Sequence, residues 1–133
     1  MAITRRSVLV ALVRGGGLAL ALGRQVAIAA TSSRPVDPIV AKLRSLLSDP
    51  VGARCIGQIY LSQASAESDP AHLASLILSS LRLTGEDSLR VQRAALSKLF
   101  GAEVRADFAA GRTVVLNGWI LSRTEARVCA LWT

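Results

Sequence analysis

Residues 113–125 read TVVLNGWILSRTE, and this stretch determines how the chain ends. Two β-type runs flank Asn117-Gly118, a pair that tolerates the positive φ angles of a type I′ turn. Ser122, with Glu125 three residues later, has the spacing of a capping box that begins a helix. The stretch therefore predicts a β-hairpin that leads into a final helix over about 123–132. Because a lone hairpin is marginally stable in water, this one must pack against other elements.

Upstream of the hairpin, an Asp-Pro pair occurs three times and indicates three helix starts. The Asp side chain can accept hydrogen bonds from the free N–H groups of a first helical turn. Proline at the next position has its φ already set and lacks an N–H that would be unbonded there. Apolar residues at helical spacing then predict helices over about Pro38–Leu47, Pro50–Ser62 and Pro70–Leu81, with a polar loop at 63–68.

A fourth helix is predicted to begin at Gly85-Glu86-Asp87-Ser88. Gly101 either ends this helix or lies inside a helix that continues to Gly111. The predicted fold class is therefore mainly α: four to five short helices with one C-terminal hairpin, followed by a final helix. In the fourth helix we expect Leu89, Leu96 and Phe100 to point inward, and Arg90, Arg93 and Lys98 to point outward.

Size and composition limit what the protein can be. The chain has 133 residues, of which 51% are hydrophobic and 4% aromatic. That length fits one globular domain and excludes a multi-domain enzyme, and the hydrophobic content argues against intrinsic disorder. With so few aromatic side chains there is no stacking platform for single-stranded nucleic acid, so we expect no nucleic-acid partner.

The positive charge is concentrated at the N-terminus. The chain has 16 basic and 9 acidic residues, and its first thirty residues hold four arginines and no acid. The remainder has 12 basic residues against 9 acidic ones, which is an ordinary balance. Four of the seven excess positive charges therefore belong to one short segment.

That N-terminal segment has the order of an export signal. Arg5 and Arg6 precede a short apolar stretch, and a run of small residues that includes Ala27 and Ala29 fits a signal peptidase site. The arginine pair before a weakly hydrophobic core resembles a twin-arginine (Tat) signal, with Val8 and Val10 where that family has Phe and Lys. The resemblance implies export to the periplasm in a folded state.

Other interpretations of the segment fit less well. Arg14 interrupts the apolar stretch before it reaches the length of a transmembrane anchor, so no stable membrane anchor is expected. An ordinary secretory (Sec) signal remains the alternative, although Arg14 would weaken it. The predicted organisation is a Tat-type signal over 1–29, a linker over 30–36 and a single small domain over 37–133.

Cys55 and Cys129 are the only cysteines in the chain. Their separation excludes a Cys-x-x-Cys redox motif. In an oxidising compartment an even count favours a disulfide, which would connect the second helix to the last one. Two buried free thiols are the alternative, because cysteine is among the most buried residue types.

No catalytic or metal-binding motif is evident. His72 is the only histidine, and no cluster of Cys, His, Asp or Glu at metal-ligand spacing surrounds it. There is no Gly-x-Ser-x-Gly elbow either. We therefore expect a protein that is not an enzyme and has no cofactor.

Trp119 and Trp132 are the candidate partner-binding residues. Trp119 directly follows the hairpin turn, where a large ring can lie at the tip. Trp132 ends an apolar terminus that is either packed into its own core or covered by another chain, and a small domain needs that buried area for itself.

The C-terminal sequence also carries a resemblance. The run from Asp107 through the turn to Leu131, together with the N-terminal signal, resembles small Tat-signal proteins of unknown role. By overall plan alone, without a shared motif, the chain is similar to the small subunits that are co-exported with periplasmic flavin dehydrogenases of the sorbitol or fructose type. Neither likeness implies a catalytic residue.

These observations predict a function in export and binding. The leading hypothesis is a non-catalytic accessory subunit that uses the Tat translocase and escorts or stabilises a larger periplasmic redox enzyme. The alternative is a free-standing periplasmic module, stapled by Cys55–Cys129, that binds a ligand or another protein.

Overall fold

The computed structural model describes residues 37–133, so the predicted signal and linker lie outside the described part. Within it the chain is mainly α, as predicted, with a two-stranded hairpin before the last helix. A short 3₁₀ turn, Ser65–Glu67, connects the second and third helices. The elements are α1 (Pro38–Arg44), α2 (Pro50–Gln63), α3 (Pro70–Ser80), α4 (Gly85–Arg90), α5 (Arg93–Ala109), β1 (Thr113–Leu116), β2 (Trp119–Ser122) and α6 (Arg123–Ala130).

The three Asp-Pro pairs do begin helices. Asp37 accepts a hydrogen bond from the N–H of Ile39 at the start of α1. Asp49 and Asp69 cap α2 and α3 in the same way, each with proline in the first turn. Each carboxylate satisfies N–H groups that a helix start leaves without an intrahelical partner. The prediction for α1 was too long, since the helix ends at Arg44 and not at position 47.

The predicted fourth helix is in fact two helices. α4 ends at Arg90, and α5 begins at Arg93 and continues through Gly101. The Lys42 ammonium of α1 donates to the carbonyl oxygens of Leu89 (2.8 Å) and Val91. In a continuous helix these carbonyls would accept from N–H groups of the same helix, whereas here they accept from another element. The expectation that Leu89 points inward was wrong, because its side chain is 46% exposed.

The hairpin forms in the predicted register. Thr113 pairs with Ser122 and Leu116 with Trp119 across the antiparallel ladder. Asn117 and Gly118 have φ angles of +48° and +86°, which the type I′ turn requires. Ser122 then caps α6 by accepting from the N–H of Glu125 at 2.9 Å, and only this half of the predicted capping box is formed.

The last helix is the centre of the fold. α6 packs against α1, α2, α3, α5 and both strands of the hairpin. Arg123 of this helix is exposed and Glu125 and Arg127 are half-buried. The other five of its eight residues are buried: Thr124, Ala126, Val128, Cys129 and Ala130. Around it lie fully buried leucine and isoleucine side chains from α1, α3, α5 and β1: Leu43, Leu73, Ile77, Leu96 and Leu116.

The tightest contact in the core lies between α2 and α6. A Cβ atom built on Gly57 would lie 2.5 Å from the carbonyl oxygen of Cys129 and 2.8 Å from the Cα of Ala130. Both atoms belong to backbone, so neither can move aside as a flexible side chain would. Glycine at position 57 is therefore required for α2 to lie directly on the backbone of α6.

We expect Gly57→Ala to destabilise the protein by about 1–3 kcal/mol, because overpacking outweighs the higher helix propensity of alanine. The matched control is Gly101→Ala in α5, where an added Cβ would meet nothing closer than the Arg105 guanidinium at 3.7 Å. That variant should be more stable by roughly 0.5–1 kcal/mol. Urea unfolding measures both, and a Gly57→Ala protein as stable as the wild type would contradict the packing described above.

Candidate functional site

An apolar groove lies between α2 and the hairpin. Its volume is about 370 Å³. Turns of α2 form one wall, and the inward side of the hairpin forms the other. The hairpin groove, as we call it below, is lined by Cys55, Ile56, Ile59, Leu116, Asn117, Trp119 and Leu121.

Both faces of the hairpin carry an apolar pair near the turn. One face carries the pairs Val114–Leu121 and Leu116–Trp119, with Leu116 buried and Trp119 76% exposed at the mouth of the groove. On the opposite face Val115 pairs with Ile120, and these side chains are 60% and 62% exposed. An antiparallel sheet that covers a core on one side ordinarily presents polar residues on the other. The hairpin therefore exposes apolar area that its own fold does not use.

The lining of the groove is uncharged, whereas Asp49 and Glu125 line a neighbouring cavity that shares Ile56 and Leu121 with it. Residues 113–122 contain no charged side chain, and α2 contains only Arg54, whose guanidinium donates to the Trp132 carbonyl at 3.2 Å. One turn before Cys55, the side chain of Val51 is 75% exposed and extends the apolar surface along α2. We use the name hairpin face for the exposed apolar residues on both sides of the hairpin end, which are Val51, Cys55 and Trp119 on the side of the groove and Val115 and Ile120 on the other side.

A buried carboxylate fixes the base of the hairpin. Asp107 is 2% exposed, and its oxygens accept from the Arg112 guanidinium (2.7 Å) and from the backbone N–H of Thr124 (3.0 Å). Burial alone would raise the pKa of this carboxyl, but the bonds from Thr124 and Arg112 outweigh it and the pKa is lowered. Arg112 also donates to Glu103 at 3.2 Å. This network connects α5 to both ends of the hairpin.

A second ion pair holds α6 to the turn after α2. Arg127 donates through two nitrogens to the Glu67 carboxylate, at 2.8 and 2.9 Å, and the Tyr60 hydroxyl donates to the same carboxylate at 2.6 Å. The bonds from Arg127, followed by the bond from Tyr60, lower the pKa of Glu67 in spite of partial burial. Burial raises the pKa of Tyr60, which therefore stays protonated and able to donate. The wall of the groove formed by α2 is thus fixed to the core.

The two tryptophans occupy different environments. Trp119 is largely exposed at the groove. Trp132 is partly buried against its own chain, with the Arg44 guanidinium 5.6 Å from its ring centroid and the same side chain donating to the Leu131 carbonyl at 2.5 Å. Only Trp119 therefore belongs to the hairpin face, whereas Trp132 packs at the end of α6.

The cysteines are free thiols in the structure, so the predicted Cys55–Cys129 disulfide is not formed. Cys55 is exposed in the groove, whereas the position of Cys129 in α6, under α2, makes it 3% exposed. Burial, followed by the charge of Glu125, raises the pKa of the Cys129 thiol to about 12. Cys129 is consequently unreactive as well as inaccessible.

The described residues hold few groups suited to chemistry. Between positions 37 and 133, no three His, Cys, Asp or Glu side chains come together where they could hold a metal ion. His72 lies exposed in the first turn of α3, where its backbone N–H donates to Asp69. Over the same residues no helix is long and apolar enough to span a membrane. Arg5, Arg6, Ala27 and Ala29 lie outside the described part.

Sequence reasoning identified some of the site and missed the rest. Trp119 was predicted from its place beside the turn. Ile56 and Ile59 were assigned to an apolar helix face, but the sequence did not indicate that the hairpin leaves part of that face open. The sequence did not indicate that Asp107 fixes the base of the hairpin. Its partner Thr124 contributes a backbone N–H, so no side-chain pattern marks this contact.

No protein-family model matches the chain, and comparison with curated proteins and with solved structures finds no match.

Thiol reactivity tests the arrangement of the cysteines. We expect one thiol of the native protein to react rapidly with a thiol reagent such as Ellman's reagent, and two to react after unfolding, because only Cys55 is accessible. Cys55→Ala should remove the fast reaction, and Cys129→Ala should leave it unchanged. A protein that shows no free thiol until a reductant is added would contain the disulfide and contradict this arrangement.

Proposed function

We propose that this chain is a non-catalytic accessory subunit that travels to the periplasm by the Tat route and binds a larger redox enzyme there. The observation that carries the proposal is the hairpin face, where Trp119 is 76% exposed at the uncharged lining of the groove. Large exposed apolar side chains gathered on a small protein are typical of an interaction site. Trp119 and the neighbouring Ile120 are the residues that we assign to the contact.

The N-terminal sequence supports the export step. Arg5 and Arg6 precede a weakly apolar stretch, and the small residues Ala27 and Ala29 fit a signal peptidase site. The Tat route carries proteins that are already folded, among them enzymes that load a cofactor before export. A small folded chain with such a signal can carry across a larger enzyme that lacks one. The class of enzyme is proposed from the similarity in overall plan, without a shared motif, to the small subunits of periplasmic flavin dehydrogenases.

The geometry of the face suits a protein partner. A fully exposed tryptophan offers about 150–250 Å² of surface, so covering Trp119 removes on the order of 150 Å² of mainly apolar area from water. At about 25 cal/mol per Å² this corresponds to about 4 kcal/mol before the costs of association. Central aromatic anchors of this kind carry much of the free energy of binding in protein interfaces.

The alternative function is a free-standing periplasmic module that binds a small apolar ligand. The observation that favours it is the volume of the hairpin groove, about 370 Å³, which lies at the lower end of the range of about 300–1,000 Å³ for ligand pockets. A ligand that fills the groove would leave Val115 and Ile120 uncovered, because they lie on the opposite face of the hairpin. The partner hypothesis accounts for those residues as well.

Affinity capture from the periplasm of the native host tests the proposal. The tagged chain should recover a redox enzyme, and the periplasmic amount of that enzyme should fall in a strain that lacks this chain. Trp119→Ser should weaken the complex by about 2 kcal/mol, or roughly 30-fold in Kd, because it removes the central anchor. Capture and quantitative mass spectrometry measure both effects.

The matched control is Leu99→Ser, which removes an exposed apolar side chain from α5, outside the hairpin face. This variant should capture the enzyme as well as the wild type does. Equal capture by the Trp119→Ser chain, or an exported enzyme whose periplasmic level does not depend on this chain, would contradict the proposal.

A further inference from the structure

A second cavity adjoins the hairpin groove. Its volume is about 210 Å³, and Ile56 and Leu121 line both cavities. The rest of its lining includes Asp49 and Glu125, whereas the lining of the groove carries no charge. We call this second space the acidic cavity. Together the two cavities form a cleft that is apolar at one end and acidic at the other.

The Glu125 carboxylate faces the acidic cavity without a partner in the described part of the chain. A complete capping box would use this carboxylate to accept from the Ser122 N–H, but only the bond from the Glu125 N–H to the Ser122 hydroxyl is formed. Between positions 37 and 133 the carboxylate has no ion pair and no hydrogen bond, although the residue is half-buried. Its charge contributes to the raised pKa of Cys129, which lines the same cavity. A cation in the cavity would compensate this charge.

Asp49 adds a second carboxylate oxygen. The N–H groups of Val51 and Gly52 both donate to its Oδ1, at 3.1 and 3.0 Å. Its Oδ2 accepts from no donor among residues 37–133. A Cβ atom built on Gly52 would overlap with Oδ2, so glycine at this position of the lining leaves the oxygen uncovered. Two carboxylates with unused oxygens therefore lie at one end of the cleft.

The charges around the cleft select a cation over an anion. Among the described residues no lysine or arginine lines either cavity. Arg54 is exposed on α2, but it contributes to neither lining and donates to the Trp132 carbonyl. An anionic ligand would meet two acids and no cation, whereas a cation would meet opposite charge that is only partly screened by water.

The hairpin groove is suited to a hydrocarbon body. Asn117 and the Cys55 thiol are the only polar side chains in its lining, and the exposed Trp119 ring stands at its mouth. An extended peptide would bring backbone N–H and C=O groups that such a lining leaves without partners, at a cost in free energy. An alkyl or aryl group brings none. The chemistry of the cleft therefore favours a small molecule over a peptide segment.

We propose that the cleft binds a small amphipathic cation, an amine whose apolar body lies in the hairpin groove against Trp119 and whose ammonium group lies beside Asp49 and Glu125. The inference goes beyond the accessory-subunit function and does not require it. Val115 and Ile120 lie on the opposite face of the hairpin and stay available to a partner protein.

Isothermal titration calorimetry of the purified full chain tests the inference with octylamine, octanol and octanoate. The three probes share one alkyl chain and differ in the charge of the head group at pH 7. Octylamine should bind most tightly, octanol more weakly and octanoate most weakly, because only the ammonium group compensates the acids of the cleft. All three are measured below the concentrations at which they form micelles.

Variants assign the two ends of the ligand. Glu125→Gln should weaken octylamine about tenfold and leave octanol unchanged, because it removes the charge and keeps the shape of the side chain. Trp119→Ser should weaken octylamine and octanol by similar factors, because it removes a wall of the groove. The matched control is Glu86→Gln, which removes the same charge from a side chain that is 82% exposed on α4 and lies in neither lining. It should bind octylamine like the wild type, and urea unfolding checks that each variant folds.

Four results would overturn the inference: no binding of octylamine, octanoate binding as tightly as octylamine, equal losses in Glu125→Gln and Glu86→Gln, or octylamine binding that Trp119→Ser leaves unchanged. A chain that ignores all three probes but binds a basic apolar peptide would assign the cleft to a protein segment and reject the amine. Capture of a redox enzyme by a chain that binds no octylamine would reject the inference and leave the proposed function standing. Octylamine binding with the expected variant pattern, in a chain that captures no enzyme, would support the inference and contradict the proposed function.

Discussion

The contact between Gly57 and the backbone of α6 is the constraint on which the rest of the structure depends. A side chain at this position would meet the Cys129 carbonyl at 2.5 Å, so the two helices can lie this close only with glycine there. The close approach buries α6, and the buried α6 then offers surfaces to α1, α3, α5 and the hairpin. A domain this small has one core, and here a single short helix organises it.

The candidate site is positioned by the contacts that fix α6 and the hairpin. Arg127 pairs with Glu67 and orients α6 relative to α2, and Asp107 holds Arg112 and the Thr124 N–H at the base of the hairpin. The hairpin thereby stands over α2 without filling the space beneath it. Because its position is set at the base, the residues at its end are free to serve a function other than stability. Trp119 is the clearest example, since no buried contact requires a tryptophan there.

The sequence predicted the parts of the fold that depend on local chemistry. Each Asp-Pro pair begins a helix, and Asn117-Gly118 forms the turn, because caps and turns are set by residues next to one another. The break between α4 and α5 was missed because it depends on Lys42, which lies far away in sequence. The groove and the exposure of Cys55 were missed for the same reason: tertiary contacts decide how much of a face stays open. For Trp132 the sequence did not decide between self-burial and a partner, since an apolar terminus alone does not indicate which neighbour covers it.

The central claim, that α6 is the helix around which the domain is built, is tested most directly by native-state hydrogen exchange. The account predicts that the amides of Val128–Leu131 exchange only through global unfolding, at the slowest rate in residues 37–133, whereas those at the hairpin turn exchange through local opening. Amides of α6 that exchange faster than those of α1 or α4 would contradict the claim, because the last helix could then detach while the rest of the core remained folded.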